Sequence, residues 1–437
     1  MSLLITIAGI GILVLLISYY RMQTFLAFLL VSIGLGLLLG LSPEAIMKAV
    51  QNGIGGTLGS IASIIALGAM LGRLIGISGA AQQIAGTMTR WFGIRHLRWA
   101  FMITGFIVGL PLFYSVGFML LVPIAITVAV QNKLPAVYIS LPLLASLSVT
   151  QGYLPPHPAP LFLVKQLHAD MGLTLLYGII ISIPAILISG AWYGATVKKY
   201  TQLPNQQFVA KQLPEEALPG ISISLATVLM PIVLIASGAF IAPLLPAGFI
   251  KNTLLLLGDA TVSLLLTIFF ALFGLKLMRK EKRLPISHEL TGAVKEVASL
   301  LLVFGGAGAL KQVLTDGGVS EIIAGMLQHA QLNVYVLGWG IAAIIRVCVG
   351  SSTVAGITTA GFIAPLMVGA GINPNLMVLS IGAGSMMFSH VNDTGFWLFR
   401  EYFQLSLADT IKTWSVMDTL VSITGLLGVL VLQYCLG

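Results

Sequence analysis

A segment rich in proline and polar residues lies between long apolar runs, at positions 148–160. It reads Ser-Val-Thr-Gln-Gly-Tyr-Leu-Pro-Pro-His-Pro-Ala-Pro, and so combines four prolines and one histidine with hydroxyl and amide side chains. Proline interrupts a helix and frees backbone polar groups. At membrane depth, such groups are tolerated only where protein or a water-filled cavity satisfies them. The segment therefore predicts the lining of a polar cavity inside an apolar protein.

Three further segments interrupt apolar sequence with glycine, proline or hydroxyl residues, at 109–115, 350–353 and 389–395. Helices that begin or end there leave backbone groups unpaired, and their positive dipole ends attract anions. Clustered hydroxyl, amide and imidazole side chains hydrogen-bond the hydroxyl groups of a polyol. Together these features favour a small hydroxylated carboxylate as the ligand. The residues predicted to contact it are Ser351, Ser352 and Thr353 near the carboxylate, Thr150, Gln151, His157 and Asn392 near the hydroxyls, and Ser115.

Ionisable residues in apolar sequence form a second set of candidates, because charges inside a membrane are costly and usually functional. His390 and Asp393, together with His157, are the predicted carriers of a proton. The alternative for His157 is that it carries no proton and is simply an interior imidazole held by hydrogen bonds. Arg346 lies in an apolar run, where its partner is either the carboxylate of the ligand or an acid of the protein such as Asp393. For the hydroxyl residues, the alternative is a bond within their own helix.

The composition of the 437 residues requires that most of the chain faces lipid or other apolar helices. Hydrophobic residues make up 57%, charged residues 8%, and the mean hydropathy is +1.01, whereas soluble proteins have roughly 25% charged residues. Apolar runs long enough for a spanning helix lie near 2–20, 24–41, 57–77, 172–197, 221–243, 253–276, 297–315 and 413–435. The zones 99–170 and 333–405 are equally apolar but interrupted. The predicted fold class is an all-α polytopic membrane protein with broken or re-entrant helices.

The net charge of +8 comes from basic residues in short loops and not from a basic face. This is the positive-inside pattern of membrane proteins, so the expected partner is the lipid bilayer and no nucleic acid. The two cysteines, Cys348 and Cys435, form no CxxC or Cys/His cluster. No metal or other cofactor is therefore expected.

The chain resembles itself at an offset of about 240 positions: the pattern at 63–86 returns at 299–325. A repeat of this kind indicates two structural halves. An accidental similarity between glycine-rich apolar segments is the alternative. The predicted boundaries are a first repeat at 1–197, a cytoplasmic linker at 198–220 and a second repeat at 221–437.

Loop charge predicts how the two halves are oriented. The loop at 90–98 contains Arg90, Arg95 and Arg98, whereas its counterpart at 321–335 has no lysine or arginine. Basic loops stay in the cytoplasm, so the equivalent loops are expected on opposite sides of the membrane. This predicts an inverted-topology repeat whose broken helices meet at a site halfway through the bilayer.

Motifs of other protein classes are missing from the chain. It has no GxxxxGK[ST] phosphate loop, no HExxH zinc site and no GxSxG nucleophile elbow, which disfavours ATP-driven and hydrolytic chemistry. No enzyme is therefore expected. The features favour a secondary active transporter that binds one anion between its halves. An ion or solute channel is the next alternative, although a channel would more naturally show a pore-loop filter.

Several motifs resemble those of the gluconate permease family, the gluconate:proton symporters of the wider ion-transporter superfamily. They include Leu-Pro-Pro-His-Pro at 154–158, Ser-His-Val-Asn-Asp at 389–393 and Gly-Phe-Trp at 395–397, and the matches run nearly end to end. The resemblance implies a multi-pass protein of the bacterial cytoplasmic membrane that imports gluconate or a related sugar acid together with a proton. It also implies a homodimer. Carriers of D-serine, fructuronate or glycerate are alternatives within the same family.

Two positions depart from the family pattern. Ser115 stands where many members have a glutamate, and Gln151 stands where they have a histidine. Both missing groups are titratable. If either carries the proton in other members, coupling here falls to His157, His390 or Asp393, or it uses a different ion.

Overall fold

The computed structural model describes residues 2–202, 213–275, 277, 286–318, 333–367, 372–391 and 393–436, and all regular secondary structure within them is helical. The helices of the first half are α1 (Ser2–Ser18), α2 (Thr24–Leu38), α3 (Pro43–Ser78), α4 (Ala80–Phe92), α5 (Leu97–Gly109), α6 (Tyr114–Gln131), α7 (Ala136–Tyr153), α8 (Pro158–Gln166) and α9 (Met171–Lys199). The helices of the second half are α10 (Ile221–Leu244), α11 (Phe249–Gly258), α12 (Ala260–Gly274), α13 (Ile286–Asp316), α14 (Val334–Val349), α15 (Ser352–Ile363), α16 (Pro374–Gly384), α17 (Thr394–Phe403) and α18 (Leu407–Leu436).

Length and composition single out candidate membrane-spanning helices among the described residues. Seven stretches qualify, namely α3, α6, α7 with α8, α9, α10, α13 and α18, and the pair of α11 and α12 makes an eighth if it is one span. They coincide with most of the runs predicted from hydropathy. The prediction of an all-α polytopic membrane protein is thereby confirmed.

The predicted uninterrupted span at 253–276 is wrong, because the structure bends it by 78° between α11 and α12. The carboxylate of Asp259 accepts hydrogen bonds from the backbone N–H groups of Thr261 and Val262, and so caps α12 at the bend. Such a cap stabilises a new helix start. One aspartate within an apolar run therefore begins a second helix where hydropathy alone predicts one span.

The four interrupted segments are breaks between consecutive helices. α5 ends at Gly109 and α6 begins at Tyr114, while α7 ends at Tyr153 and α8 begins at Pro158. In the second half, Gly350 takes a left-handed φ of 82° between α14 and α15, a conformation that favours glycine. The last break separates α16 from α17. Each predicted half therefore carries the two breaks that the glycine, proline and hydroxyl clusters predict, and the second also carries the bend at Asp259.

Glycine contacts hold the two halves against each other. A Cβ added at Gly382 of α16 would lie 2.2 Å from the carbonyl oxygen of Gly152 of α7. A Cβ added at Gly308 of α13 would lie 2.1 Å from Thr57 Oγ1 of α3. Only a residue without a side chain permits helix backbones to approach so closely. The segments that precede two of the breaks are thus fixed across the boundary between the halves.

The predicted linker at 198–220 lies partly outside the described residues, as does the loop at 321–335. The described end of the linker is attached to α4, because Gln82 Nε2 donates to the Leu213 carbonyl at 2.9 Å and the Leu213 N–H donates to Gln82 Oε1 at 3.0 Å. The domain boundaries and the opposite orientation of the halves stay predictions.

Candidate functional site

A cavity of about 250 Å³, here called the first cavity, lies where several broken helices meet. The first residues of α6, α8 and α15 and the end of α7 line it, and α13 closes one side. The first turn of a helix has backbone N–H groups without partners in the helix, and it carries a partial positive charge. Three helix starts at one cavity therefore favour an anionic ligand.

Four of the residues predicted to contact a ligand line the first cavity: Ser115, Gln151, His157 and Thr353. They come from three of the four interrupted segments of the chain. Gln151 Nε2 also donates to Ser352 Oγ at 3.1 Å, so an amide of the first half is bonded to a hydroxyl of the second. The fold thus brings together polar groups that are up to about 240 positions apart in the sequence.

The remaining predicted hydroxyls are used within the helices. Thr150 is fully buried and donates to the Leu147 carbonyl at 2.9 Å. Ser351 caps α15, because its Oγ accepts from the Val354 N–H at 3.3 Å. Neither residue lines the first cavity. Asn392, which was also predicted to contact the ligand, lies outside the described residues.

His157 is 3% exposed and links two of the breaks. Its Nε2 lies 2.7 Å from the carbonyl oxygen of Gly109. A carbonyl only accepts, so Nε2 carries the hydrogen in this contact, and in a neutral ring Nδ1 is left as an acceptor. The residue is therefore both a bonded interior imidazole and part of the cavity wall.

Arg346 pairs with Asp393, which is one of the two partners expected from the sequence. The two side chains are 2% and 18% exposed, and Arg346 NH2 lies 2.6 Å from Asp393 Oδ2. Arg346 also donates to the Gly350 carbonyl, so the pair fixes the break between α14 and α15. Asp393 caps α17 by accepting from the Gly395 N–H at 2.9 Å, and it accepts from Ser389 as well. Its carboxylate therefore has three hydrogen-bond donors.

His390, the other predicted proton carrier, lies away from the first cavity. Its Nε2 is 2.9 Å from the Val347 carbonyl, and its ring packs near Phe388, with the centroids 5.7 Å apart. It is not among the residues that line the first cavity. The imidazole joins the segment after α16 to the end of α14.

Several residues near this site were missed from the sequence. Glu296 and Tyr114 line the first cavity, and Asp418 is 1% exposed in the apolar helix α18. Asp418 interrupts the run at 413–435, and the argument applied to Arg346, that an ionisable residue in an apolar span is functional by default, would have identified it. Glu296 directly precedes the run at 297–315, so hydropathy places it at a span end.

Comparison with known proteins gives the same family as the motifs. The family model described as GntP family permease matches residues 1–435. The chain belongs to the GntP permease family. It is 42% identical over 435 residues to the high-affinity gluconate transporter of Escherichia coli (strain K12), with 99% of both chains covered. It is also 39% identical to the Gnt-II system L-idonate transporter of the same strain, again with 99% of both covered.

Solved structures with a similar fold are also transporters. The YdaH transporter of Alcanivorax borkumensis has a TM-score of 0.66 at 15% identity, covering 93% of this permease and 96% of that chain. MtrF of Neisseria gonorrhoeae has a TM-score of 0.62 at 12% identity, with 93% of each covered. At these identities the likeness concerns the fold alone. Its family and its candidate spans make the permease a multi-pass protein of the bacterial cytoplasmic membrane.

The permease has a second cavity of about 250 Å³ at the other end of α8. Lys165, Gln166 and His168 line it from the end of α8, and Lys311 lines it from α13. Lys311 Nζ donates to the Gln166 carbonyl at 3.3 Å. Gln166 Nε2 is buried and has no hydrogen-bond partner among the described residues. This second cavity therefore offers ammonium and amide donors to a solute.

Proposed function

We propose that this permease is a secondary active carrier that imports gluconate or a closely related sugar acid, together with a proton. The observation that carries the proposal is the first cavity, where three helix starts and the side chains of Ser115, Gln151, His157 and Thr353 converge. Relatives named as gluconate and L-idonate transporters support a sugar acid as the substrate. No catalytic role is proposed for any residue.

The carboxylate of the substrate binds at the helix starts, and its hydroxyl groups bind to the side chains of the cavity. Backbone N–H groups in the first turns of α6, α8 and α15 supply donors to the anion. Gln151 and Thr353 both donate and accept, and His157 Nδ1 accepts, so together they match the mixed donor and acceptor character of a polyol. Ser115 adds a further hydroxyl at the start of α6.

The transport path continues past α8. Its first residues line the first cavity and its last residues line the second cavity, so one nine-residue helix separates two polar spaces. Alternate opening of the two cavities by movement of one bundle against the other gives alternating access. Lys165 and Lys311 make the second cavity attractive to an anion before or after it crosses.

Reconstituted transport tests this function. Purified permease in proteoliposomes is expected to accumulate labelled gluconate when a pH gradient is imposed, and to catalyse counterflow at equilibrium. A panel of unlabelled L-idonate, fructuronate, glycerate and D-serine then ranks the substrates by competition.

Thr353→Val is expected to raise the KM for gluconate. Thr127→Val is the matched control, because Thr127 bonds its own helix through the Pro123 carbonyl at 2.8 Å and is not among the residues that line the first cavity.

Three results would contradict the proposal. Flux that does not saturate and shows no counterflow would indicate a channel. If none of the sugar acids competes with labelled gluconate for uptake, sugar acids are not the substrates of this permease. Accumulation driven by a sodium gradient and not by a pH gradient would replace the proton with another coupling ion.

A further inference from the structure

Asp418 is a buried carboxylic acid. It is 1% exposed and lies on α18, whose sequence around it is apolar. Its Oδ1 has no hydrogen-bond partner among the described residues. An ionised carboxylate that is buried without donors is unstable in an apolar interior. The position is therefore suited to a group that holds a proton for part of a cycle.

Three polar groups, here called the row, lie near one another inside the protein: Asp418 of α18, Ser148 of α7 and Tyr114 of α6. Tyr114 Oη, Ser148 Oγ and Asp418 Oδ1 are all buried and have no hydrogen-bond partner within the described part of the chain. Tyr114 itself lines the first cavity. Three helices thus contribute one group each to a row that begins at the cavity wall.

The charges around Asp418 do not balance without a proton. The charged groups that act on it are Arg346 at the end of α14 and Asp393 before α17. Tyr114 and Tyr153 are its titratable neighbours on α6 and α7, and Tyr153 donates to the Val421 carbonyl. Of the other helices packed against α18, α16 carries no titratable side chain. The titratable residues of α9 and α17 do not act on Asp418, namely Tyr177, Tyr193, Lys198 and Lys199 of α9 and Arg400, Glu401 and Tyr402 of α17. The guanidinium of Arg346 and the carboxylates of Asp393 and Asp418 together have a net charge of one negative unit, and one proton on Asp418 neutralises it.

We propose that Asp418 is the proton-binding site of this permease, and that Ser148 and Tyr114 carry the proton between it and the first cavity. The inference rests on the proposed carrier function. In the loading step, Ser148 Oγ gives its hydrogen to Asp418 and takes one from Tyr114 Oη, which takes one from a hydronium ion in the cavity and leaves a water molecule there. Each hydroxyl gains one hydrogen and loses one, so the net change is one proton on Asp418. The reverse order releases it.

The other acids and bases of the site are less suited to this role. Asp393 has three donors, and protonation would displace one of them. His390 bonds the Val347 carbonyl outside the first cavity. His157 bonds the Gly109 carbonyl and forms part of the wall that the substrate contacts. Asp418 combines burial, a vacant acceptor atom and a connection to the cavity.

Asp418→Asn separates proton coupling from substrate movement, because the amide mimics the protonated acid. Accumulation driven by a pH gradient is expected to fall about tenfold or more, whereas counterflow at equal pH persists. Proton influx with substrate, followed by a pH dye inside the vesicles, should disappear. Asp409→Asn is the matched control on the same helix, since Asp409 contacts Ser406 outside this row, and both activities should persist in it. Asp418→Glu restores an acid and should recover part of the accumulation.

Each outcome has a defined meaning. Full accumulation with normal proton influx in Asp418→Asn overturns the inference. The inference is also overturned if Asp418→Asn elutes as a folded monodisperse protein but has lost both counterflow and accumulation. Loss of coupling alone supports it. Slower proton influx in Ser148→Ala, with counterflow intact, supports the row. If the unmodified permease lacks counterflow of any sugar acid, the carrier function itself fails, which is a separate result.

Discussion

Gln151 connects the two halves of the permease at the wall of the first cavity. Its amide donates to Ser352 and faces the space where the substrate is proposed to bind. A primary amide has two donors and an acceptor, so one side chain can hold the second half and still bond a hydroxyl. At the scale of single residues, substrate affinity should therefore depend on this amide.

Gln151→Ala should raise the KM for gluconate about tenfold, since an unmade hydrogen bond in a polar site costs ~1–3 kcal/mol. The measurement is initial uptake into proteoliposomes over a range of substrate concentrations. Gln131→Ala is the control, because Gln131 is exposed at the end of α6. An unchanged KM in Gln151→Ala would show that the amide has no contact with the substrate.

Several helix ends are fixed by specific polar contacts in this protein. Asp393 caps α17, bonds Arg346 of α14 and accepts from Ser389, whose Oγ also accepts from Trp414 Nε1 at 2.8 Å. Removal of one member of a buried ion pair leaves the other charge without compensation. At the scale of elements, the second half should lose stability when this pair is broken.

Asp393→Asn is expected to lower the stability of the detergent-solubilised permease by about 3–5 kcal/mol, seen as a lower midpoint of thermal unfolding. Glu289→Gln breaks the pair with Arg73, whose side chain is 45% exposed, and should cost only about 0–1 kcal/mol. Equal shifts in both variants would contradict a special role for the buried pair. Intact accumulation in His157→Ala would remove that residue from the cavity wall that the substrate is proposed to contact.

The contact between α7 and α16 gives a prediction about packing. Gly382→Ala places a Cβ where 2.2 Å separates it from the Gly152 carbonyl oxygen, so the two helices must separate. Overpacking of this kind costs about 1–3 kcal/mol, and the displaced end of α7 should also lower the transport rate. Gly340→Ala is the control, since no atom lies within 4 Å of its added Cβ. Thermal unfolding and uptake of the two variants should differ clearly; similar behaviour would show that the contact tolerates expansion.

Across the whole molecule, the opposite orientation of the two repeats is the prediction on which a site halfway through the bilayer depends. The described structure has helix breaks in both predicted repeats and two cavities at the two ends of α8. Inverted halves that meet at such breaks expose the same site first to one side and then to the other.

Cysteine labelling in intact cells tests this orientation. Cys348 and Cys435 are first replaced by serine, and single cysteines are then introduced as Arg95→Cys and Gln331→Cys. An impermeant maleimide is expected to label only the second from outside, because basic loops remain in the cytoplasm. Labelling of both positions from the same side would overturn the inverted repeat and with it the proposed site between the halves.

Sequence alone determined the membrane class, most spans, the four breaks and the family. These properties depend on local quantities: the length of an apolar run, the helix-breaking effect of glycine and proline, and motifs within a few residues. Four cavity residues, Ser115, Gln151, His157 and Thr353, were identified for the same reason, since each lies at or beside a break.

Only the tertiary structure decided which of these polar groups meet. The partner of Arg346, the use of Thr150 and Ser351 within their helices, and the bend at Asp259 all depend on how helices rotate and pack. Asp418 and Glu296 are far from the breaks in sequence and reach the site only through α18 and α13. Hydropathy reports how apolar a segment is, but the direction of a side chain is set by contacts with other helices.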